Sequence, residues 1–135
     1  MKYFLFFLFF LSTKIYPFRI EVINIIDRKA LIYIAVFDQE EGFPSDGEKG
    51  IFKWKGTPKE AEKGVFTDLP DGNYAIAVFQ DIDGNDKLTK WFFGKPIEPY
   101  GILGMIDKPK KRPNFLENSK KVSKNSVVQI ILWEH

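Results

Sequence analysis

Residues 68–79 read DLPDGNYAIAVF: Leu69-Pro70-Asp71-Gly72 forms a tight turn, and Tyr74 to Phe79 follows it at once as a run of β-branched, alanine and aromatic residues. Proline sets the turn's φ and glycine tolerates its reversal, so the chain is expected to double back directly into a strand. The same grammar continues outward. On the N-terminal side, Phe18 to Ile26 (FRIEVINII) partly alternates, with Phe18, Ile20 and Val22 on one face and Arg19 and Glu21 on the other. The polar turn Asp27-Arg28-Lys29 leads into Ala30 to Phe37 (ALIYIAVF), and these two runs are expected to pair as a hairpin. Ile51 to Lys55 alternates up to Gly56-Thr57-Pro58, Pro58 to Lys63 suits one or two helical turns, and Val65 to Thr67 reads as a short strand. On the C-terminal side, glycine and proline break the segment from Asp81 to about Ser126 into loops, and Val127 to Trp133 (VVQIILW) closes the chain as a last strand. No segment carries a long 3.6-residue apolar stripe. The expected fold is all-β, an antiparallel β-sandwich of about seven strands.

The 135 residues, 44% hydrophobic and 28% charged, bound the chain to one domain. With no cysteine, disulfides and thiolate metal sites are excluded, and a single histidine, at position 135, removes imidazole-rich sites and most acid–base triads. Five of the 14 phenylalanines fall in the first ten residues. There Lys2 precedes an unbroken apolar run from Tyr3 to Leu11, which Ser12, Thr13 and Lys14 end. That is the length of a signal-peptide core and too short for a bilayer, which needs about 20 apolar residues. Residues 1–16 are therefore expected to be a signal peptide, though no A-x-A-like pattern fixes the cleavage point, and residues 17–135 a single sandwich domain. The product is expected to be exported, periplasmic or extracellular, with no membrane span and no nucleic-acid partner.

Asp68-Leu69-Pro70-Asp71-Gly72-Asn73-Tyr74 resembles the DLPxGxY corner of prealbumin-like (transthyretin-like) sandwiches, in which the tyrosine pins the turn as in Ig-like tyrosine corners. Further blocks extend the likeness: Ala35-Val36-Phe37-Asp38 with Glu41-Gly42-Phe43-Pro44, Tyr74 to Asp81, Asp83-Gly84-Asn85 with Lys87-Leu88, Phe93-Gly94-Lys95-Pro96, Tyr100-Gly101 and Pro113-Asn114-Phe115. Together they are similar to the secreted bacterial family catalogued as domain of unknown function 2141. The resemblance implies a small exported β-sandwich and lends no catalytic residues. The chain departs from that family at Gln80, where histidine is frequent, at Asp86, where glycine is usual, and at Thr89, where an acidic residue is common.

Site chemistry concentrates in Asp81-Ile82-Asp83-Gly84-Asn85-Asp86-Lys87-Leu88. Asp81, Asp83 and Asn85 place oxygens at positions 1, 3 and 5 of a calcium loop, and Lys87 offers its carbonyl at position 7. The match fails at Asp86, where glycine is the rule, and at Phe92, where a bidentate glutamate is needed. Two readings stand side by side: an Asx-rich turn that caps its own backbone, and a weak Ca²⁺ site. A second candidate is the basic run Lys108, Lys110, Lys111 and Arg112, which with Lys120, Lys121 and Lys124 gives residues 107–124 a local charge of +5. It is either solvated loop or a surface for an anionic cell-envelope polymer or protein. A third is aromatic, with Trp91, Phe93 and Tyr100 as a ligand-stacking group. Leu69, Pro70, Gly72 and Tyr74 read as a structural corner. Catalysis finds little support, because adjacent carboxylates in an open loop are not held across a cleft. The leading expectation is a non-catalytic binding or structural accessory module. The alternative is a hydrolase or transferase working through the carboxylate loop.

Overall fold

The structure is a computed structural model and describes residues 17–86, 98–108 and 110–134. The proposed signal peptide, Lys87, Trp91, Phe92 and Phe93 lie outside the described residues. Among those described, eight strands, two short α-helices and one 3-10 turn (Gly47–Lys49) are found; the strands and α-helices follow in order: β1 Arg19–Ile23, β2 Leu31–Phe37, β3 Phe52–Gly56, α1 Pro58–Lys63, β4 Val65–Phe66, β5 Gly72–Asp81, β6 Tyr100–Ile102, α2 Phe115–Asn118, β7 Lys120–Val122 and β8 Val127–Ile131. The strands form two sheets, ordered β4-β1-β8 and β3-β2-β5-β6, with β7 pairing the start of β5. The all-β sandwich expected from the turn grammar is therefore present.

The expected hairpin of the first two strands is not. β1 pairs β4 on one side and β8 on the other, so both of its edges are taken, and β2 lies in the opposite sheet. Asn24 redirects the chain: it sits in the left-handed region (φ 64°), and its amide donates to the Leu132 carbonyl at 2.8 Å. The chain thus crosses from one sheet to the other. Pairing also departs from purely antiparallel, since β1 and β8 run parallel in register Arg19↔Val127 to Ile23↔Ile131.

Phe18, Ile20 and Val22 meet Ile32, Ile34 and Val36 and Tyr74, Ile76 and Val78 between the sheets, with Ile130 and Leu132 beside them. Ile20, Ile32 and Ile76 are fully buried, each worth roughly 1.5–3 kcal/mol of transfer free energy. α1 packs against β1 and β2, one strand from each sheet, burying Ala61. Its start is written in the sequence: Thr57 caps the helix by accepting from the Glu60 N–H at 3.2 Å, and Pro58 occupies the first turn. On the other side β6 meets the end of β8, where Tyr100 and Trp133 exchange backbone hydrogen bonds of 3.1 and 2.9 Å. A side chain at Gly101 would sit 2.2 Å from the Ile131 carbonyl oxygen, so only glycine permits this crossing.

The sheet β3-β2-β5-β6 is covered on its outer face as well. Phe37, Phe43, Ala75, Tyr100 and Ile102 form a second cluster there, with Phe79, Met105 and Phe115 packed on it. Phe43 stands edge-on to both Phe37 and Phe115. Burial on two faces explains why the β2 and β5 segments are nearly continuous apolar runs while β1 alternates. Among the described residues no helix is long and apolar enough to cross a membrane.

Candidate functional site

β5 is bounded by two turns of opposite character. At its start, the Tyr74 hydroxyl donates to the Pro70 carbonyl at 2.7 Å, and the ring packs 5.7 Å from that of Phe18. Tyr74 is buried, Leu69 packs on the core, and a side chain at Gly72 would strike the tyrosine ring. The residues read as a corner form one fastening.

At its end, Asp81 is buried while Ile82 to Asp86 turn out into solvent. Asp81 Oδ1 accepts from the Asn85 N–H at 3.2 Å, and Oδ2 accepts from the Asp86 N–H at 2.9 Å. Asp83 Oδ1 accepts from the Asn85 N–H at 3.1 Å, and its Oδ2 from the Asn85 side-chain amide at 3.0 Å. The Asx-turn pattern is thus realised, with Gly84 (φ 71°) and Asp86 (φ 62°) both left-handed. The structure then adds a carboxylate that the loop motif does not contain. Glu98 is 4% exposed and accepts from the Ile82 N–H at 3.1 Å. Carboxylate oxygens of Asp81, Asp83 and Glu98 lie within 4.8 Å of one another. The antiparallel register that pairs Phe79 with Tyr100, extended by two residues, sets Asp81 opposite Glu98, and the Gln80 N–H donating to the Pro99 carbonyl at 2.9 Å carries the ladder that far. No signal local to residues 81–88 could have found Glu98; only the β5–β6 pairing brings it in.

The loop forms one wall of an open cleft of about 400 Å³, whose other wall is Asp27, Lys29, Ala30 and Leu31. Gln80, buried beside Asp81, holds that second wall by donating to the Asp27 and Ala30 carbonyls at 2.7 and 3.0 Å. The Asp27 carboxyl is held below its ordinary pKa by the backbone N–H groups of Ala30 and Lys29. Asp86 points away from the cleft's carboxylates to the sheet. The Tyr33 hydroxyl bond, then Lys55, depress its pKa, while burial, then Asp86, push the Tyr33 phenol up. Three oxygen-bearing side chains, two of them buried, suit a hard cation; a fourth donor from the motif, Asn85, is next to them.

The remaining candidates are dispersed. Lys108, Lys110, Lys111 and Arg112 are all exposed; Lys111 pairs with Glu117 at 3.1 Å, and Arg112 donates to the Ser45 hydroxyl at 3.1 Å. Tyr100, read as part of a stacking surface, is 8% exposed and packs within the second cluster, so its ring faces protein.

No curated protein and no solved structure is significantly similar to the chain. Residues 20–130 match one family, covering both ends of β5, Glu98 and the basic run. The chain belongs to that family, described as "Uncharacterized protein conserved in bacteria (DUF2141)".

Proposed function

We propose that the protein is an exported, non-catalytic β-sandwich module whose Asp81–Asp83–Glu98 end binds Ca²⁺ weakly. The carrying observation is the cross-strand placement of Asp81 and Glu98, both buried, with the Asp83 carboxylate brought against them. A divalent cation among the three is attracted by each of them, and the attraction grows as water is removed. Glu98 supports the site in the place left by the missing position-12 ligand. With one carboxylate from outside the loop and much of the rest exposed, the affinity belongs to the weak end of calcium modules, roughly 10⁻⁴–10⁻³ M.

Calorimetric titration with Ca²⁺ tests this on the native chain and on the Asp81→Ala plus Asp83→Ala double variant. Heat and a thermal shift in the first and neither in the second are expected; neither signal from the native chain at millimolar Ca²⁺ ends the reading. The alternative, a hydrolase or transferase using the same carboxylates, predicts an activity that Asp81→Ala abolishes in a broad substrate screen.

Export rests on Lys2 followed by the Tyr3–Leu11 apolar run. Amino-terminal sequencing of the cell-envelope fraction is expected to show a chain that begins near residue 17; an intact Met1 in the cytosol would contradict it. The Tyr74–Pro70 bond supports a prealbumin-like variety of sandwich. Exposure of all four residues of the basic run supports an anionic cell-envelope polymer as partner. Retention on an anionic matrix should then fall with salt and in the Lys110, Lys111, Arg112 to Ala variant.

A further inference from the structure

Among the described residues, the two most exposed large apolar side chains are Leu116 at 83% and Ile106 at 76%. A single exposed aliphatic residue is ordinary, but these two follow residues that pack inward on one cluster. Met105 and Phe115 both lie on the second cluster, over the outer face of the β3-β2-β5-β6 sheet, and the next residue in each case turns outward. The basic side chains share that place. Lys111 reaches Glu117, next to Leu116, at 3.1 Å, and Lys120 lies across Gly104, where a Cβ would meet its Cε at 2.8 Å. Arg112 is tied to Ser45, in the loop whose Phe43 packs in the same cluster.

Strand pairing brings these segments to one end of the sheet. β6 runs antiparallel to β5 with Ile102 opposite Ala77, so its continuation through Gly104 and Ile106 heads for the start of β5. There β7 sets Lys121 opposite Asn73 and Lys120 opposite Tyr74. The Asp81 carboxylate is at the far end of this ten-residue strand, about 30 Å away and well beyond the screening length of about 8 Å in physiological salt. Of the acids within the segment, Asp107 and Glu117, the second is already taken by Lys111. Among the described residues no carboxylate pairs with Lys108, Lys110 or Lys120, and all three are exposed.

We propose that this end of the molecule, with Ile106 and Leu116 amid Lys108, Lys110 and Lys120, docks on the phosphate headgroups of an anionic lipid bilayer. The inference rests on the anion-binding reading of the basic run and goes beyond the polymer named for it. A hydrated polyanion engages the lysines alone and leaves both aliphatic side chains in water. A bilayer takes both, because the ammonium groups settle among the phosphates while the aliphatic side chains enter the boundary between headgroups and acyl chains. Charge alone is screened by salt and two aliphatic side chains alone bury little area, so it is their combination on one surface that selects lipid. The contact is peripheral and spans nothing.

Sedimentation with vesicles tests this on the chain as purified from the cell envelope, using phosphatidylcholine alone or mixed equally with phosphatidylglycerol, with retention on a polyphosphate matrix measured in parallel. Binding to the mixed vesicles and not to phosphatidylcholine is expected, weakening as salt is added. The Lys108, Lys110, Lys120 to Ala variant should bind the mixed vesicles about a hundredfold more weakly, at about fivefold per charge near an anionic surface. The Ile106→Ser plus Leu116→Ser variant keeps every charge, so it should lose about tenfold on the vesicles and nothing on polyphosphate. All five side chains are exposed, and an unchanged thermal midpoint shows that each variant is folded. Vesicle binding unaltered by the two serines, equal binding to phosphatidylcholine, or retention on polyphosphate without vesicle binding overturns the lipid partner, while retention on polyphosphate keeps the anion-binding reading. No retention on either overturns both.

Discussion

The two ends of β5 solve the same problem, reversing the chain at the edge of a buried strand, with opposite chemistry. At Gly72 the reversal is fastened by one phenol that buries its ring and donates a single neutral hydrogen bond to Pro70. At Asp81 it is fastened by carboxylates that accept backbone N–H groups, with a third carboxylate, Glu98, set against them. A turn that only had to fold could use the first solution twice. The second end gathers carboxylate oxygens that a reversal alone does not need, and on the proposed reading it is the end that takes a ligand.

That contrast can be broken at either end. The largest effect is expected from Tyr74→Ala, about 4 kcal/mol of lost stability in denaturant unfolding, because a buried aromatic and its packing on Phe18 are removed. Gly101→Ala should follow at roughly 2–3 kcal/mol, since the new methyl meets the Ile131 carbonyl and backbone has to shift. Tyr74→Phe keeps the ring and loses only the bond to Pro70, so about 1 kcal/mol is expected by the same measurement. Glu98→Gln should do the reverse of these. Without calcium its stability should stay within about 1 kcal/mol of the native chain, because glutamine keeps an oxygen that can accept from the Ile82 N–H. With millimolar calcium its thermal shift should vanish. A large loss of calcium-free stability in Glu98→Gln would make that end structural too and erase the contrast.

The smallest effect is the pH dependence. The Asp27 and Asp86 carboxyls are held low, so their contribution is present above the ordinary carboxylate range and is lost as pH falls through their depressed values, below about pH 4. The Tyr33, Tyr74 and Tyr100 phenols are pushed up by burial, so their contribution is present below about pH 10 and is lost as pH rises beyond it. A plateau across neutrality with two falling limbs is expected in urea midpoints. Asp86→Asn should make the acid limb shallower, and an identical limb would remove Asp86 from the account.

The parts legible in the sequence were those encoded over a few residues: the Leu69–Tyr74 corner, the strand after it, the Thr57–Pro58 start of α1 and the Asx spacing from Asp81 to Asn85. The rest depends on contacts between distant segments. The parallel pairing of β1 with β8 joins segments more than a hundred residues apart, and nothing in FRIEVINII distinguishes it from a hairpin partner of the next run. Glu98 lies beyond the loop motif and becomes a candidate ligand only through the Phe79↔Tyr100 register. Tyr100 looked like a surface ring because glycine and proline surround it, whereas the loop carrying Phe43 and the start of α2 at Phe115 fold back over the sheet and contribute to the cluster that buries it.

The central claim is that Asp81, Asp83 and Glu98 converge to hold a cation. A crystal structure determined with Ca²⁺ in the buffer tests it most directly. The account predicts density among those three carboxylates at calcium–oxygen distances of about 2.3–2.6 Å, with the loop otherwise unmoved. Water alone among the three at millimolar Ca²⁺ would contradict it.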